Sequence, residues 1–258
     1  MLKRELLDDM YCQGVSFIIT DKGKLARTIA LILVQEYTVA RDIITGSVCK
    51  NSVAEMPIDM DEIEDIITRR LKPPDVFHRD GFLFQLIMWL AAHLDLDDGD
   101  LVALPHTQAS AKGQDSLIIH RADEAVIALS ICEDKATKNP RSVVRDDVWP
   151  EIKDYEAGGR RDELRSSIIA TLGSSGMKQE EAISLVRRIS WEGRRRYRVR
   201  ITLEKERRKG LFKGFDTLVP GLVDRRRGET VQIPELRGWM TDFANKVENE
   251  LREYAQGK

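Results

Sequence analysis

No stretch of the 258 residues approaches the roughly 18 consecutive apolar residues that a membrane-spanning helix needs. The opening Met1 to Asp9 (Met-Leu-Lys-Arg-Glu-Leu-Leu-Asp-Asp) also lacks the apolar core of a secretion signal, so a cytoplasmic location is expected. Cysteine is scarce. Cys12, Cys49 and Cys132 are odd in number and have no paired spacing, which argues against a disulfide framework and a structural zinc site. His78, His93, His106 and His120 are scattered singles, each read as a surface or core side chain before a ligand. No nucleotide-binding glycine loop occurs in the first third of the chain. What is present is ordinary for a globular protein: 42% hydrophobic and 33% charged residues, enough for one large domain or a domain with an appendage.

The densest chemical information lies between Gly113 and Lys135. Gly-Gln-Asp-Ser-Leu-Ile-Ile-His is followed by the polar turn Arg121-Ala122-Asp123-Glu124 and then by Ala-Val-Ile-Ala-Leu-Ser-Ile-Cys-Glu-Asp-Lys. A single polar break inside an apolar run predicts a β-hairpin. Asp115 then heads one strand, and Glu133 and Lys135 end the next. Side chains alternate faces at about 3.3 Å per residue, so Glu133 and Lys135 share a face about 7 Å apart while Asp134 faces away. The stretch Ala125 to Cys132 is apolar on both faces, as a covered central strand should be. Ending such a strand in Glu-Asp-Lys is costly unless those charges are paired or used. A surface hairpin with a solvated charge cluster is the competing reading. The register poses one difficulty: a turn centred on Ala122 and Asp123 sets Asp115 opposite Ser130, three residues short of Glu133, so a bulge or strong twist is required.

An acidic residue opening one core strand, with Glu-x-Lys on the next, resembles the signature of the PD-(D/E)xK nuclease superfamily, matched here by Asp115, Glu133 and Lys135. Gln114 stands where that signature has proline. The resemblance implies a restriction-endonuclease-like α/β core, a central mixed sheet flanked by helices. It also implies a Mg²⁺ or Mn²⁺ ion held by Asp115, Glu133 and the Asp134 backbone carbonyl. Lys135 would steady the attacking water or the charge on the reacting phosphate. The apolar segment Gly81 to Leu94 corresponds to the first core helix, from which the superfamily often supplies a further acid. Only Asp80, Gln85 or Asp95 is available here.

A strongly basic region follows, with twelve Lys or Arg against three Glu from Arg187 to Lys213. Within it Arg196-Tyr197-Arg198-Val199-Arg200-Ile201-Thr202-Leu203 alternates strictly, which predicts a half-buried strand with Tyr197, Val199, Ile201 and Leu203 inward. Arg196, Arg198 and Arg200 would then face outward at about 7 Å intervals, close to the spacing of phosphates along a nucleic acid strand. Arg225, Arg226 and Arg227 form a second basic run, expected in a loop. These six arginines are the expected DNA contacts. A solvated face partnered by Glu204 and Glu206 is the alternative.

The remaining periodicity is helical. Helices are predicted from Lys24 to about Tyr37 with Asp21 as cap, and from Asp59 to Leu71, ended by Pro73-Pro74. A helix opening at Asn139-Pro140 meets Pro150, predicting a kink or a fresh start near Trp149. Others run from Arg161 to Leu172, Gln179 to Ile189 and Leu236 to Tyr254. Asp97-Asp98-Gly99-Asp100 reads as a surface turn and not a calcium loop. The division expected is a helical or mixed lead-in over 1–75 packed on a core over 76–258. The Glu-Asp-Lys strand, the arginine-rich strand and a closing helix beginning Leu236-Arg237-Gly238-Trp239 resemble, more narrowly, the nuclease-subunit family of the bacterial Hachiman antiphage system. That family works with a superfamily-2 helicase subunit on DNA. The functional alternative is a catalytically silent DNA-binding or scaffolding subunit.

Overall fold

The computed structural model describes residues 1–46, 59–105, 114–122, 125–187, 189, 193–204 and 209–256. Cys49, His106, Asp123, Glu124 and Glu206 lie outside the described residues. The chain opens with an antiparallel pair, β1 (Leu2–Leu7) and β2 (Gln13–Ile19). Helices α1 (Lys22–Leu33), α2 (Tyr37–Thr45), α3 (Met60–Ile66, continued by a π turn over Ile67–Leu71) and α4 (Val76–Ala92) follow. Next come the short β3 (Leu101–Val102), then β4 (Ser116–Ala122) and β5 (Ala125–Lys135). A helical crossover runs through α5 (Pro140–Val143), a π turn (Val144–Val148), α6 (Trp149–Ala157), α7 (Arg161–Ser174) and α8 (Gln179–Arg187). It leads to β6 (Arg195–Leu203), α9 (Phe215–Leu218), β7 (Arg226–Gln232) and α10 (Leu236–Ala255).

Among the described residues the strands form one seven-stranded sheet in the order β1-β2-β7-β6-β5-β4-β3. It is mixed. The β5, β6, β7 and β2 strands run parallel to one another, while β3 to β5 and β1 to β2 are antiparallel. The fold is therefore α/β, as expected, with an apolar core on each face of the sheet. On one face Val15, Phe17 and Val231 pack with α1, α4 and α10. On the other, Leu117, Ile131, Tyr197 and Val199 pack under α6, α7 and α8. The first 75 residues share this sheet and core, because β2 extends it from β7 and α1 packs along α10.

Local chemistry explains most boundaries. Asp21, Asp59 and Asp75 each accept a backbone N–H at the start of α1, α3 and α4, the role of an N-cap carboxylate. Helix α1 stops short of Tyr37 because Gln35 adopts a left-handed φ of 66°. Pro150 sits in the first turn of α6, where its missing N–H is tolerated, and the π turn before it keeps the helix running. Asp100 accepts from the backbone N–H of Arg121 and pairs with His120, so Asp97 to Asp100 is a structural turn. Four strands carry no clear periodic signal in the sequence: β1, β2, β3 and β7.

Gly14 and Gly228 face each other across the β2–β7 ladder. A Cβ on Gly228 would press on the Phe212 ring and sit 2.7 Å from Cys12 Sγ. Gly228→Ala should therefore destabilise the fold by about 1–3 kcal/mol through overpacking. A urea melt checks this, and an unchanged midpoint would contradict the packing described.

Candidate active site

The hairpin brings the three signature residues together. The pairing nearest the turn is Ala122↔Ala125, and a bulge between His120 and Arg121 shifts the ladder by one more residue, so that Ser116 pairs with Cys132. Asp115 consequently lies beside Glu133. The turn position supplies two of the three residues that the simple register lacked, and the bulge supplies the third.

Lys135 Nζ lies 3.1 Å from Glu133 Oε2 and 3.6 Å from Asp115 Oδ2. Asp115 is held from two sides. Gln85 Nε2, from α4, donates to its Oδ1 at 2.5 Å, and the Asp134 backbone N–H donates to its Oδ2 at 2.6 Å. The helix position at which an acid was sought thus carries a neutral amide that orients Asp115. Gln114 is tied down behind it, donating to Ser167 Oγ at 2.8 Å and accepting from Tyr155 Oη at 3.4 Å. The Asp134 side chain points to the opposite face, as expected.

A third carboxylate beside Lys135 has no counterpart in the sequence motif. Glu151, on α6, places Oε1 3.9 Å from Lys135 Nζ. No motif marks it. The signal available was helical: Glu151 falls three residues after Val148 and four before Tyr155, both buried, so its side chain leaves α6 on the covered flank.

The site is short of positive charge, with Asp115, Glu133 and Glu151 around one ammonium. Glu133 is almost wholly buried, and no donor reaches its Oε1. Burial pushes the Glu133 carboxyl well above the usual carboxylate range, and Asp115 and Glu151 add to this against the pull of Lys135. Burial works against the Lys135 ammonium, but Glu133, Asp115 and Glu151 outweigh it and hold its pKa above the ordinary lysine range. A carboxyl that binds its proton more tightly when folded contributes stability below its unfolded pKa and loses it as pH rises through the folded value. Without divalent cations, Glu133→Gln should therefore gain stability relative to the wild type as pH is raised from acid to neutral. Paired thermal melts across that range test this, and a constant difference would contradict it.

Hard oxygen donors, one of them buried without a partner, fit a Mg²⁺ or Mn²⁺ ion in chemical kind. They are not a preformed cage: among the described residues no three His, Cys, Asp or Glu side chains are grouped to hold a metal ion. The clefts lined by Tyr37, Arg69 and Phe82 and by Arg27, Val39 and Tyr254 include none of these side chains.

The arginine strand is not the outward-facing phosphate ladder expected. Strand β6 lies between β5 and β7 and is covered on both faces. Arg200 is 0% exposed; its guanidinium forks onto both Asp134 oxygens, with Nη2 to Oδ2 at 2.7 Å, and donates to the Met88 carbonyl. Arg198 is buried beside Glu229 at 3.6 Å. Arg196 is partly exposed and pairs with Asp224 at 3.1 Å. The second basic run is no loop either. Arg225 bonds Glu156 and the Arg195 carbonyl from a short helical turn, while Arg226 and Arg227 open β7. Arg226 donates to the carbonyls of Tyr11, Val219 and Gly221, and Arg227 pairs with Asp95 and Glu229. All six arginines are engaged in internal partnerships. Alternation of charge along β6 is not alternation of solvent exposure, because Glu229 and Asp134 are brought alongside Arg198 and Arg200 from neighbouring strands.

His93 and His120 are buried in local hydrogen bonds, and Cys12 and Cys132 are buried. Burial pushes the Cys132 thiol up to about 11, which leaves it unreactive. Among the described residues no helix is long and apolar enough to cross a membrane. No protein-family model matches the chain, and no curated protein matches it.

Proposed function

We propose that the chain is a divalent-metal-dependent nuclease of the PD-(D/E)xK type, cutting phosphodiester bonds of DNA. The observation that carries the reading is the convergence of the Asp115 and Glu133 carboxylates on Lys135 Nζ at the end of a covered central strand. Supporting it, the hairpin sits in a mixed sheet with helices on both faces, the arrangement a restriction-endonuclease-like core requires. Asp115 and Glu133 would hold Mg²⁺ or Mn²⁺, with the Asp134 backbone carbonyl as a third donor. The bound ion would acidify a water and offset charge on the phosphate. Gln85 and the Asp134 amide fix the aim of Asp115, so its orientation is set before a ligand arrives. Lys135 supplies an ammonium that remains charged at neutral pH, suited to a phosphate oxygen or the incoming water.

In the same reading the protein is the effector subunit of a bacterial antiphage complex with a superfamily-2 helicase, in which assembly restrains cutting. The buried arginines leave the silent DNA-binding subunit with little support, since its binding face is used internally. Incubating the purified chain with supercoiled plasmid tests the proposal: nicked or linear product should appear with Mg²⁺ or Mn²⁺ and vanish with EDTA. Product formation that is indifferent to chelation would overturn it.

A further inference from the structure

We infer that Glu151 is a cation ligand of this site, completing with Glu133 a two-carboxylate seat for a divalent metal ion; this rests on the nuclease reading. The first support is the orphaned Glu133 Oε1, buried and without a donor in a site where acids outnumber the ammonium three to one. A buried carboxyl oxygen without a donor is unfavourable, and a divalent cation satisfies it and offsets the surplus of acids together. The second is position. Glu151 shares the ammonium that Glu133 and Asp115 contact, although it arrives from a different element.

The third is how α6 is delivered. Pro150 cannot donate a hydrogen bond, and the π turn over Val144–Val148 lets the helix pass through this stretch unbroken. A π turn inserts a residue, rotating everything after it by about 100° relative to a regular helix. With that rotation, Val148, Ile152 and Tyr155 are buried against the sheet and Glu151 lies on the flank beside Lys135. Glu151 is also the most exposed of the three carboxylates, at 36% against 16% for Asp115 and 2% for Glu133. It is therefore the side chain with most freedom to swing from the ammonium onto an ion, which accounts for the lack of a preformed cage.

Calorimetric titration of the chelator-treated full chain with Mn²⁺ tests this without reference to cutting. Glu151→Gln should weaken Mn²⁺ binding at least about tenfold. Glu151→Asp, which keeps the charge, should bind more tightly than Glu151→Gln, and Asp162→Asn, fully exposed on α7, should match the wild type. Circular dichroism establishes that each variant is folded. Equal Mn²⁺ affinity in the wild type and Glu151→Gln, or a wild type that takes up no Mn²⁺, would overturn the assignment. A wild type that binds Mn²⁺ through Glu151 but cuts no DNA would support the ligand role and sink the nuclease reading instead.

Discussion

Glu133→Gln is expected to lower metal-dependent DNA cleavage by at least about a hundredfold while leaving the fold intact. Gln keeps the volume and one carbonyl oxygen but removes the anionic charge that would bind the ion and balance Lys135. Loss of one preorganised electrostatic group at a reacting centre typically costs two to three orders of magnitude in rate. Stability should move little or rise, because a buried carboxyl with an unpartnered oxygen is replaced by a neutral amide. The two effects run in opposite directions, which separates a chemical role from a structural one. Single-turnover rates and urea melts on the same preparations check both. A variant that cuts like the wild type would remove Glu133 from the chemistry.

Arg200→Met should produce the largest loss of stability, about 3–5 kcal/mol, by leaving Asp134 buried and uncompensated. With urea slopes of about 1–3 kcal/mol/M for small proteins, the midpoint should fall by at least about 1 M. Adding Asp134→Leu should recover most of the loss, since two apolar side chains can replace a buried pair of similar volume. Failure of the double variant to recover would show that Arg200 acts through the Met88 carbonyl rather than through Asp134. The same reasoning reverses the expectation for replacing Arg196, Arg198 and Arg200 together: the variant should unfold at lower urea instead of losing a DNA-contacting surface.

The site was legible because its chemistry is local. Asp115, Glu133 and Lys135 sit within one hairpin, where strand alternation determines facing and only the register needed a bulge. Helix starts were legible for the same reason, through Asp21, Asp59 and the Asn139-Pro140 pair. Glu151 and the arginine strand were not, since each depends on partners distant in sequence. The charges of Arg198 and Arg200 are balanced by Glu229 and Asp134, one to each side in the sheet, and alternation within β6 carries no trace of either. Strand β7, with Arg-Arg-Gly-Glu-Thr-Val-Gln, reads as polar although most of it is buried, because its charged side chains are bonded to other side chains and to backbone carbonyls inside the fold.

The measurement that bears most directly on the central claim is single-turnover cleavage of duplex DNA by the wild type and Lys135→Ala, each in Mn²⁺ and in EDTA. The proposed activity requires product from the wild type in Mn²⁺ alone, and a rate at least about a hundredfold lower from Lys135→Ala. Equal rates for the two proteins in Mn²⁺, or product from the wild type in EDTA, would contradict it.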